Sequence, residues 1–240
     1  MVRIKIDNQI IEAEPGSTIL DAANKAFICI PTLCSHESLS AFGACRVCTV
    51  EISVNGKSGL TTACTYPAEE GLEVKTNSEK VKEARRLAVQ LLLAQNPCSD
   101  RIQELARRLG IEKPGFTLKE DECILCGLCV RACRELVGAE AISFIDQGLD
   151  RDVDEACVEH SEIKCIGCDS CAYVCPTEAI TVEDVGDTRT LTTPSRTIKF
   201  RLKKCKVCGR YWAPEKQIEY IAKQSNQPLV MFEVCPNCRE

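Results

Sequence analysis

The chain has few large apolar side chains and no long apolar run. Aromatic residues make up 5% of its 240 residues, and there are one tryptophan, two methionines and two histidines. Because so few large side chains do not favour one extensive core, we expect several small modules stabilised by something other than apolar burial. The longest apolar run, Leu87 to Ala94, is interrupted by Gln90 and is too short to cross a bilayer.

Several catalytic and targeting signals are also missing. There is no G-x-G-x-x-G fingerprint, no Walker A loop and no nucleophile elbow, so we do not expect this chain to convert a substrate alone. The first residues alternate like a β-strand and lack the apolar core of a signal peptide. The chain has a net charge of −5 and therefore lacks the positively charged surface that binding to nucleic-acid phosphates needs. We therefore expect a cytoplasmic protein with no membrane span and no nucleic-acid partner.

Cysteine, in contrast, is abundant. The chain has 19 cysteines, and most of them fall in C-x2-C pairs instead of being spread as in a disulfide framework. This pattern favours metal sites in a reducing compartment. Three cysteines, Cys29, Cys98 and Cys157, have no partner at ligand spacing, and we interpret them as structural or free thiols.

The central feature is a C-x2-C-x2-C-x3-C run that occurs twice, the second time followed by Pro176. This is the run of bacterial ferredoxins, in which the fourth cysteine of each run binds the other cluster when two clusters are present. The predicted ligands of the first [4Fe–4S] cluster are Cys123, Cys126, Cys129 and Cys175. Those of the second [4Fe–4S] cluster are Cys165, Cys168, Cys171 and Cys133.

The N-terminal residues 1–77 predict a β-grasp module. Two short strands and a helix capped at Ser17 or Thr18 come first, followed by a strand at Arg46–Val54 that turns at Asn55-Gly56 and a closing strand at Leu72–Lys75. The long loop and the segment after it carry four cysteines, Cys34, Cys45, Cys48 and Cys64. Their spacing departs from the plant-type C-x4-C-x2-C pattern of [2Fe–2S] ferredoxins, and zinc is the alternative. His36 lies near Cys34, but we interpret it as a loop histidine.

The stretches at residues 30–34 and 43–48 resemble the [2Fe–2S] loop of the large iron–sulfur subunit of respiratory complex I. Related electron-transfer subunits of NAD-linked hydrogenases and formate dehydrogenases share this longer gap. The resemblance covers residues 1 to about 185 and implies one [2Fe–2S] cluster and two [4Fe–4S] clusters. It also implies a subunit that carries electrons.

Residues 78–116 predict a helical link that departs from this family. One helix starts after Ser78 and stops at Asn96-Pro97, and a second runs from Asp100 to Leu109. Relatives carry between these helices one histidine and three cysteines that hold a further [4Fe–4S] cluster. Here the loop keeps only Cys98, so we expect that this cluster has been lost.

The C-terminal residues 187–240 predict a four-thiolate site. Two C-x2-C knuckles supply Cys205, Cys208, Cys235 and Cys238. Four thiolates suit a structural zinc or a rubredoxin-type iron. We favour zinc, because the spacer at residues 214–224 has helical character whereas rubredoxin spacers are aromatic-rich loops. We expect this module to present Tyr220, Ile221 and the Met231-Phe232 pair to a partner subunit.

Together these patterns predict an α+β protein made of small metal-stapled modules: a β-grasp [2Fe–2S] ferredoxin (1–77), a helical link (78–116), a two-[4Fe–4S] ferredoxin (117–186) and a zinc-ribbon-like or rubredoxin-like knuckle (187–240). The resemblance implies an iron–sulfur electron-transfer subunit of a multisubunit NAD(P)-linked oxidoreductase. A soluble hydrogenase is the favoured enzyme, and whether it bifurcates electrons is left open.

The partners that the resemblance implies are a flavin/NAD(P)-binding iron–sulfur subunit, a small thioredoxin-like [2Fe–2S] subunit, a hydrogenase or formate dehydrogenase catalytic subunit, and ferredoxin. An NAD-linked formate dehydrogenase or a complex I-like enzyme is the alternative. A redox sensor and a freely diffusing dicluster carrier are alternatives of a different class. A sensor would need an effector domain, and no such pattern is visible in the sequence.

Overall fold

The computed structural model describes residues 1–54, 56–116, 118, 121–145 and 158–239. Two compact units are present, Met1–Gly127 and Leu128–Glu240. The division into four modules stays a prediction. The expected turn residue Asn55 and the thiol of Cys157 lie outside the described residues. Among the described residues, no helix is both long and apolar enough to cross a membrane.

The first unit begins with a five-stranded sheet and one short helix. The strands are β1 (Val2–Ile6), β2 (Gln9–Ala13), β3 (Thr49–Val54), β4 (Lys57–Thr62) and β5 (Glu73–Lys75), and the helix is α1 (Ile19–Lys25). Their order in the sheet is β2-β1-β5-β3-β4. Strand β1 runs parallel to β5, and the other neighbours are antiparallel. The succession of strands and helix along the chain is the predicted β-grasp pattern, but the last strand, β5, which was expected at an edge of the sheet, lies between β1 and β3.

Local sequence explains this unit well. Ile4 and Ile6 alternate with charged residues along β1 and are buried in the core. Thr18 and Asp21 form a capping box at the start of α1. One predicted boundary was wrong: the strand expected from Arg46 starts at Thr49. The reason is that Arg46 takes a left-handed conformation with φ of 59°, which ends the preceding loop and is incompatible with a strand.

Two helices complete the first unit, α2 (Glu79–Gln95) and α3 (Asp100–Arg108). The Ser78 hydroxyl accepts a hydrogen bond from the Val81 backbone N–H at 3.4 Å and so caps α2. After α3 the chain turns at Gly110, which has a φ of 64°. Both predicted helices are confirmed.

The second unit contains two sheets and three short or medium helices. Its helices are α4 (Leu128–Arg131), which continues as a π-helical segment (Ala132–Val137), α5 (Ser170–Tyr173) and α6 (Glu215–Gln224). Its strands are β6 (Ile142–Phe144), β7 (Val158–His160), β8 (Thr181–Val185), β9 (Thr188–Thr192), β10 (Thr197–Lys204) and β11 (Tyr211–Pro214). Single 3₁₀ turns lie at Leu229–Phe232 and Pro236–Cys238.

The four-stranded sheet has the order β11-β10-β9-β8, and β6 pairs with β7. The β8–β9 hairpin crosses residue 186, so one sheet is shared by the chain segments on either side of the predicted module boundary. The C-terminal residues also pack against the segment that carries Cys165 to Cys175, since the Phe200 ring and the Arg189 guanidinium both lie against Gly167.

Candidate metal centres

The four N-terminal cysteines converge in the first unit. All four are buried. The sulfur atoms of Cys48 and Cys64 lie 3.4 Å apart, and the Cys45 backbone N–H donates to the Cys34 sulfur at 3.5 Å. Hydrogen bonds from the Cys45 and Cys64 thiols lower the pKa of Cys34 to about 2. The thiols therefore form one contiguous group, with Cys34 next to Cys45 and Cys48 next to Cys64.

The loop that presents these cysteines depends on specific backbone conformations. Gly43 has a φ of 75°, and a Cβ there would lie 3.0 Å from a Thr65 methyl, so both strain and space favour glycine. The Thr49 hydroxyl donates to the Arg46 carbonyl at 2.6 Å. His36 takes part in a local turn, in which its Nδ1 accepts from the Ser38 backbone N–H at 3.2 Å.

A groove of about 540 Å³ opens beside this loop. Cys45 and Arg46 line one side, and α2 lines the other with Leu87 and Leu91. These two leucines are exposed, at 56% and 44%, as is Leu60 on β4. The apolar face of α2 is thus only partly covered within this unit.

The predicted ligands of the first [4Fe–4S] cluster are divided between the two units. Cys123 and Cys126 belong to the first, and Cys129 and Cys175 belong to the second. The Cys123 backbone N–H donates to the Asp121 carboxylate at 2.8 Å, and its carbonyl accepts from the Gln95 side chain at 2.9 Å. This ligand set stays a prediction.

The predicted ligands of the second [4Fe–4S] cluster lie together within one unit. Cys133, Cys165, Cys168 and Cys171 line the same small cavity. The Ala141 backbone N–H donates to the Cys133 sulfur at 3.2 Å. Burial raises the pKa of Cys133 and, helped by the neighbouring thiols, raises the pKa of Cys171 to about 12. Because burial opposes ionisation, a nearby positive group such as iron is needed to hold these sulfurs as thiolates.

C-terminal residues support the loop of this cavity. Gly167 has a φ of 74°, and a Cβ there would lie 2.8 Å from the Phe200 ring of β10. Arg189 of β9 donates to the Gly167 carbonyl at 3.0 Å and forms an ion pair with Asp184 at 2.7 Å. Lys216 of α6 donates to the Glu162 and Ile163 carbonyls at 2.8 and 2.7 Å.

The C-terminal knuckles form the most compact thiol group. The sulfur atoms of Cys205, Cys208, Cys235 and Cys238 all lie within 4.8 Å of one another. Among the described residues, this is the one group of three or more His, Cys, Asp or Glu side chains that is close enough to hold a metal ion. The Cys208 and Cys235 sulfurs are 3.9 Å apart. Tetrahedral ligands at a Zn–S distance of about 2.3 Å would lie about 3.8 Å apart. The geometry therefore suits one four-coordinate ion.

Backbone amides lower the pKa of Cys205 and of Cys208, whereas hydrogen bonds with the Cys235 and Cys208 thiols raise the pKa of Cys238 to about 12. The Cys235 N–H donates to the Cys205 sulfur at 3.3 Å. This bond and that from Cys208 lower the pKa of Cys205 to about 6. A thiolate that is stabilised in this way binds metal at neutral pH.

The cysteines without predicted partners behave differently. Cys29 and Cys98 are exposed. Residues 95–100 form the loop in which we expect that a cluster has been lost. There the Asn96 side chain donates to the Glu122 carbonyl at 2.8 Å and accepts from the Ser99 N–H at 3.0 Å.

Comparison with known families agrees with these sites. Residues 1–79 match the 2Fe-2S iron-sulfur cluster binding domain, and residues 164–210 match the 4Fe-4S dicluster domain. The second match includes Cys205 and Cys208, which the structure groups with Cys235 and Cys238. Fold and sites together define an α+β iron–sulfur protein with both [2Fe–2S] and [4Fe–4S] binding domains and a four-cysteine site.

Two curated relatives and one solved structure are similar to this chain. A subunit of an NADH-quinone oxidoreductase from Rhizobium meliloti (strain 1021) is 32% identical over 207 residues, which cover 75% of this chain and 24% of that protein. The HndD subunit of the NADP-reducing hydrogenase from Solidesulfovibrio fructosivorans is 34% identical over 211 residues, which cover 75% of this chain and 36% of that protein.

A chain from the crystal structure of an NAD+-reducing [NiFe]-hydrogenase in the H2-reduced state matches with a TM-score of 0.57 and 29% identity, over 66% of this chain and 74% of that chain. The predicted resemblance to the complex I large iron–sulfur subunit and to the matching hydrogenase subunits is thus confirmed. The chain spans only 24% to 36% of the length of the two curated relatives.

Proposed function

We propose that this chain is the iron–sulfur electron-transfer subunit of a multisubunit NAD(P)-linked oxidoreductase. The observation that carries the proposal is the placement of thiols: buried groups at ligand spacing in both units, within domains that match iron–sulfur families. Such clusters, when bound, accept and release single electrons. The protein's own residues would hold the clusters, exclude water and orient the sulfurs.

The N-terminal group would hold one [2Fe–2S] cluster. Cys34 contacts both Cys45 and Cys64, and Cys48 contacts Cys64, so all four thiols are close enough to bind one two-iron cluster. The second group would hold one [4Fe–4S] cluster through Cys165, Cys168, Cys171 and Cys133, supported by their common cavity. Cys123, Cys126, Cys129 and Cys175 would hold the other.

The four C-terminal thiolates would hold a structural zinc, with a rubredoxin-type iron as the alternative. The spacer between the knuckles contains β11 and α6, unlike the aromatic-rich loop of a rubredoxin. The spacer and the residues after it were expected to present Tyr220, Ile221 and the Met231-Phe232 pair to a partner subunit. The Tyr220 hydroxyl donates to the Val137 carbonyl at 3.0 Å within the same unit. Ile221 and Met231 are exposed and remain candidates for a partner contact.

The partners we propose are a flavin/NAD(P)-binding subunit, a small thioredoxin-like [2Fe–2S] subunit, ferredoxin and a catalytic subunit in the cytoplasm. A hydrogenase catalytic subunit is favoured because one relative is an NADP-reducing hydrogenase subunit and the structural match is a hydrogenase. A formate dehydrogenase or complex I-like partner is the alternative. Anaerobic purification of the native complex, followed by mass spectrometry of its subunits, tests the proposal. A chain that purifies alone, with no redox partner, would contradict it.

The first testable prediction is the metal content. One [2Fe–2S] and two [4Fe–4S] clusters give about ten cluster irons per chain, and the C-terminal site adds about one zinc. Elemental analysis of anaerobically purified protein measures both metals. About fourteen irons per chain would mean that a further [4Fe–4S] cluster is present.

The second prediction concerns the exposed thiol of Cys98. We expect Cys98→Ser to leave the iron content and the EPR spectrum of the reduced protein unchanged, because no other ligand lies in its loop. Cys126→Ala is the matched positive control and should lose iron. Loss of a cluster signal in Cys98→Ser would contradict this interpretation.

A further inference from the structure

Helix α2 buries a positive charge beside the N-terminal thiol group. Arg85 is only 8% exposed. Its Nε donates to the Thr49 carbonyl at 2.9 Å, directly after Cys48 in the chain. Its Nη2 is buried and has no hydrogen-bond partner among the described residues. In the part of the chain that the structure describes, the guanidinium forms no ion pair with an acidic side chain. The Asp7 carboxylate instead accepts hydrogen bonds from Thr76.

An arrangement of this kind needs an anion nearby. Burial lowers the pKa of Arg85; the sulfur of Cys48 is the strongest of the attractions that oppose this effect, followed by the sulfur of Cys29 and then by Asp7. A buried charge without a partner costs several kcal/mol as an order of magnitude, so such groups are usually paired. Of these groups, Cys29 is exposed and Asp7 is bound to Thr76, whereas Cys48 is buried and belongs to the set of predicted cluster-binding thiolates.

We propose that Arg85 is a positioning residue that pairs electrostatically with the [2Fe–2S] cluster and raises its reduction potential. This inference depends on the proposed function, because it requires a cluster at Cys34, Cys45, Cys48 and Cys64. The cluster with its four thiolates is an anion, and it gains one more negative charge when it accepts one electron from the donor subunit. A fixed positive charge therefore stabilises the reduced form more than the oxidised form.

The next residue on the helix is a matched control. Arg86 carries the same charge but is exposed, and it donates to the Leu109 carbonyl on the side of α3. Exposed charges are screened by salt, whereas buried ones are screened much less. The two arginines thus differ in burial and in proximity to Cys48, and not in side-chain chemistry.

The test is an EPR-monitored redox titration of the full-length chain and its variants. In Arg85→Met we expect a more negative midpoint for the [2Fe–2S] signal, with the ratio of reduced to oxidised cluster at the wild-type midpoint falling about tenfold. Arg85→Lys keeps the charge and should stay close to wild type, as should Arg86→Met. The [4Fe–4S] midpoints should not change, and the shift should persist in high salt.

Equal [2Fe–2S] midpoints in loaded Arg85→Met and Arg85→Lys would overturn the inference. If Arg85→Met does not assemble the cluster, Arg85→Gln replaces it in the same comparison. Should Arg85→Lys alone retain the cluster, that dependence on charge would itself support the pairing. Absence of any [2Fe–2S] signal from the wild-type protein would instead contradict the proposed function, so the two failures are distinguishable.

Discussion

Replacement of Cys175 by alanine is expected to remove the [4Fe–4S] cluster bound by Cys123, Cys126 and Cys129. It should leave intact the cluster bound by the nearer residues of its own run. The variant should lose about four irons and one EPR signal. Cys133→Ala should show the reverse pattern and lose the cluster bound by Cys165, Cys168 and Cys171.

The cavity around the second thiol group supports this crossed pattern. Cys133 lines it together with Cys165, Cys168 and Cys171, although 31 residues lie between Cys133 and Cys165 in the sequence. Cys175 follows Cys171 by four residues, but it is not among the residues that line the cavity. Its sulfur lies 3.7 Å from the Thr177 hydroxyl.

Two further variants identify which cluster is lost. Cys126→Ala removes a ligand of the first cluster only, and Cys168→Ala removes one of the second only. The EPR spectrum of Cys175→Ala should match that of Cys126→Ala, and the spectrum of Cys133→Ala should match that of Cys168→Ala. The opposite matches would show that each run binds its own cluster.

Loss of one C-terminal ligand is the other change for which we expect a large effect. Cys205→Ser or Cys238→Ser should release about one zinc per chain and unfold the knuckles. A structural zinc site contributes about 10–16 kcal/mol, comparable with the whole stability of a small domain, so the local structure should not survive its loss. We expect weaker complex assembly, while the three iron–sulfur clusters remain reducible.

Zinc analysis, limited proteolysis and EPR measure these three effects. Cys29→Ser is the control, because Cys29 is an exposed cysteine outside the knuckles. Hydrogen exchange adds a local readout: protection near Ile163 should decrease, since Lys216 no longer holds its carbonyl. Anomalous scattering at the zinc and iron edges identifies the metal directly. An iron signal with a visible spectrum that bleaches on reduction would make the site a redox centre and contradict the structural interpretation.

Several parts of the fold could be read from local sequence. Strands β1, β2, β3 and β5, the helix after Ser78 and the helix in the C-terminal spacer follow from short-range periodicity and capping. Other parts could not. Strand β4 alternates weakly and is mostly exposed, and β11 is only four residues long, so neither has a strong pattern. The start of β3 depended on one left-handed residue, Arg46, which no periodicity reveals.

The sequence alone determined which chemistry the chain supports, because metal-binding loops are local and their cysteine spacing is written directly in the chain. Tertiary structure decided which distant groups meet. Only packing places Phe200 against Gly167 and Tyr220 against Val137. Arg85 shows the difference most clearly: in the sequence it is one of two adjacent arginines on a helix. Its contact with Thr49, 36 residues away, arises because helix and sheet pack together and exclude water from one arginine but not the other.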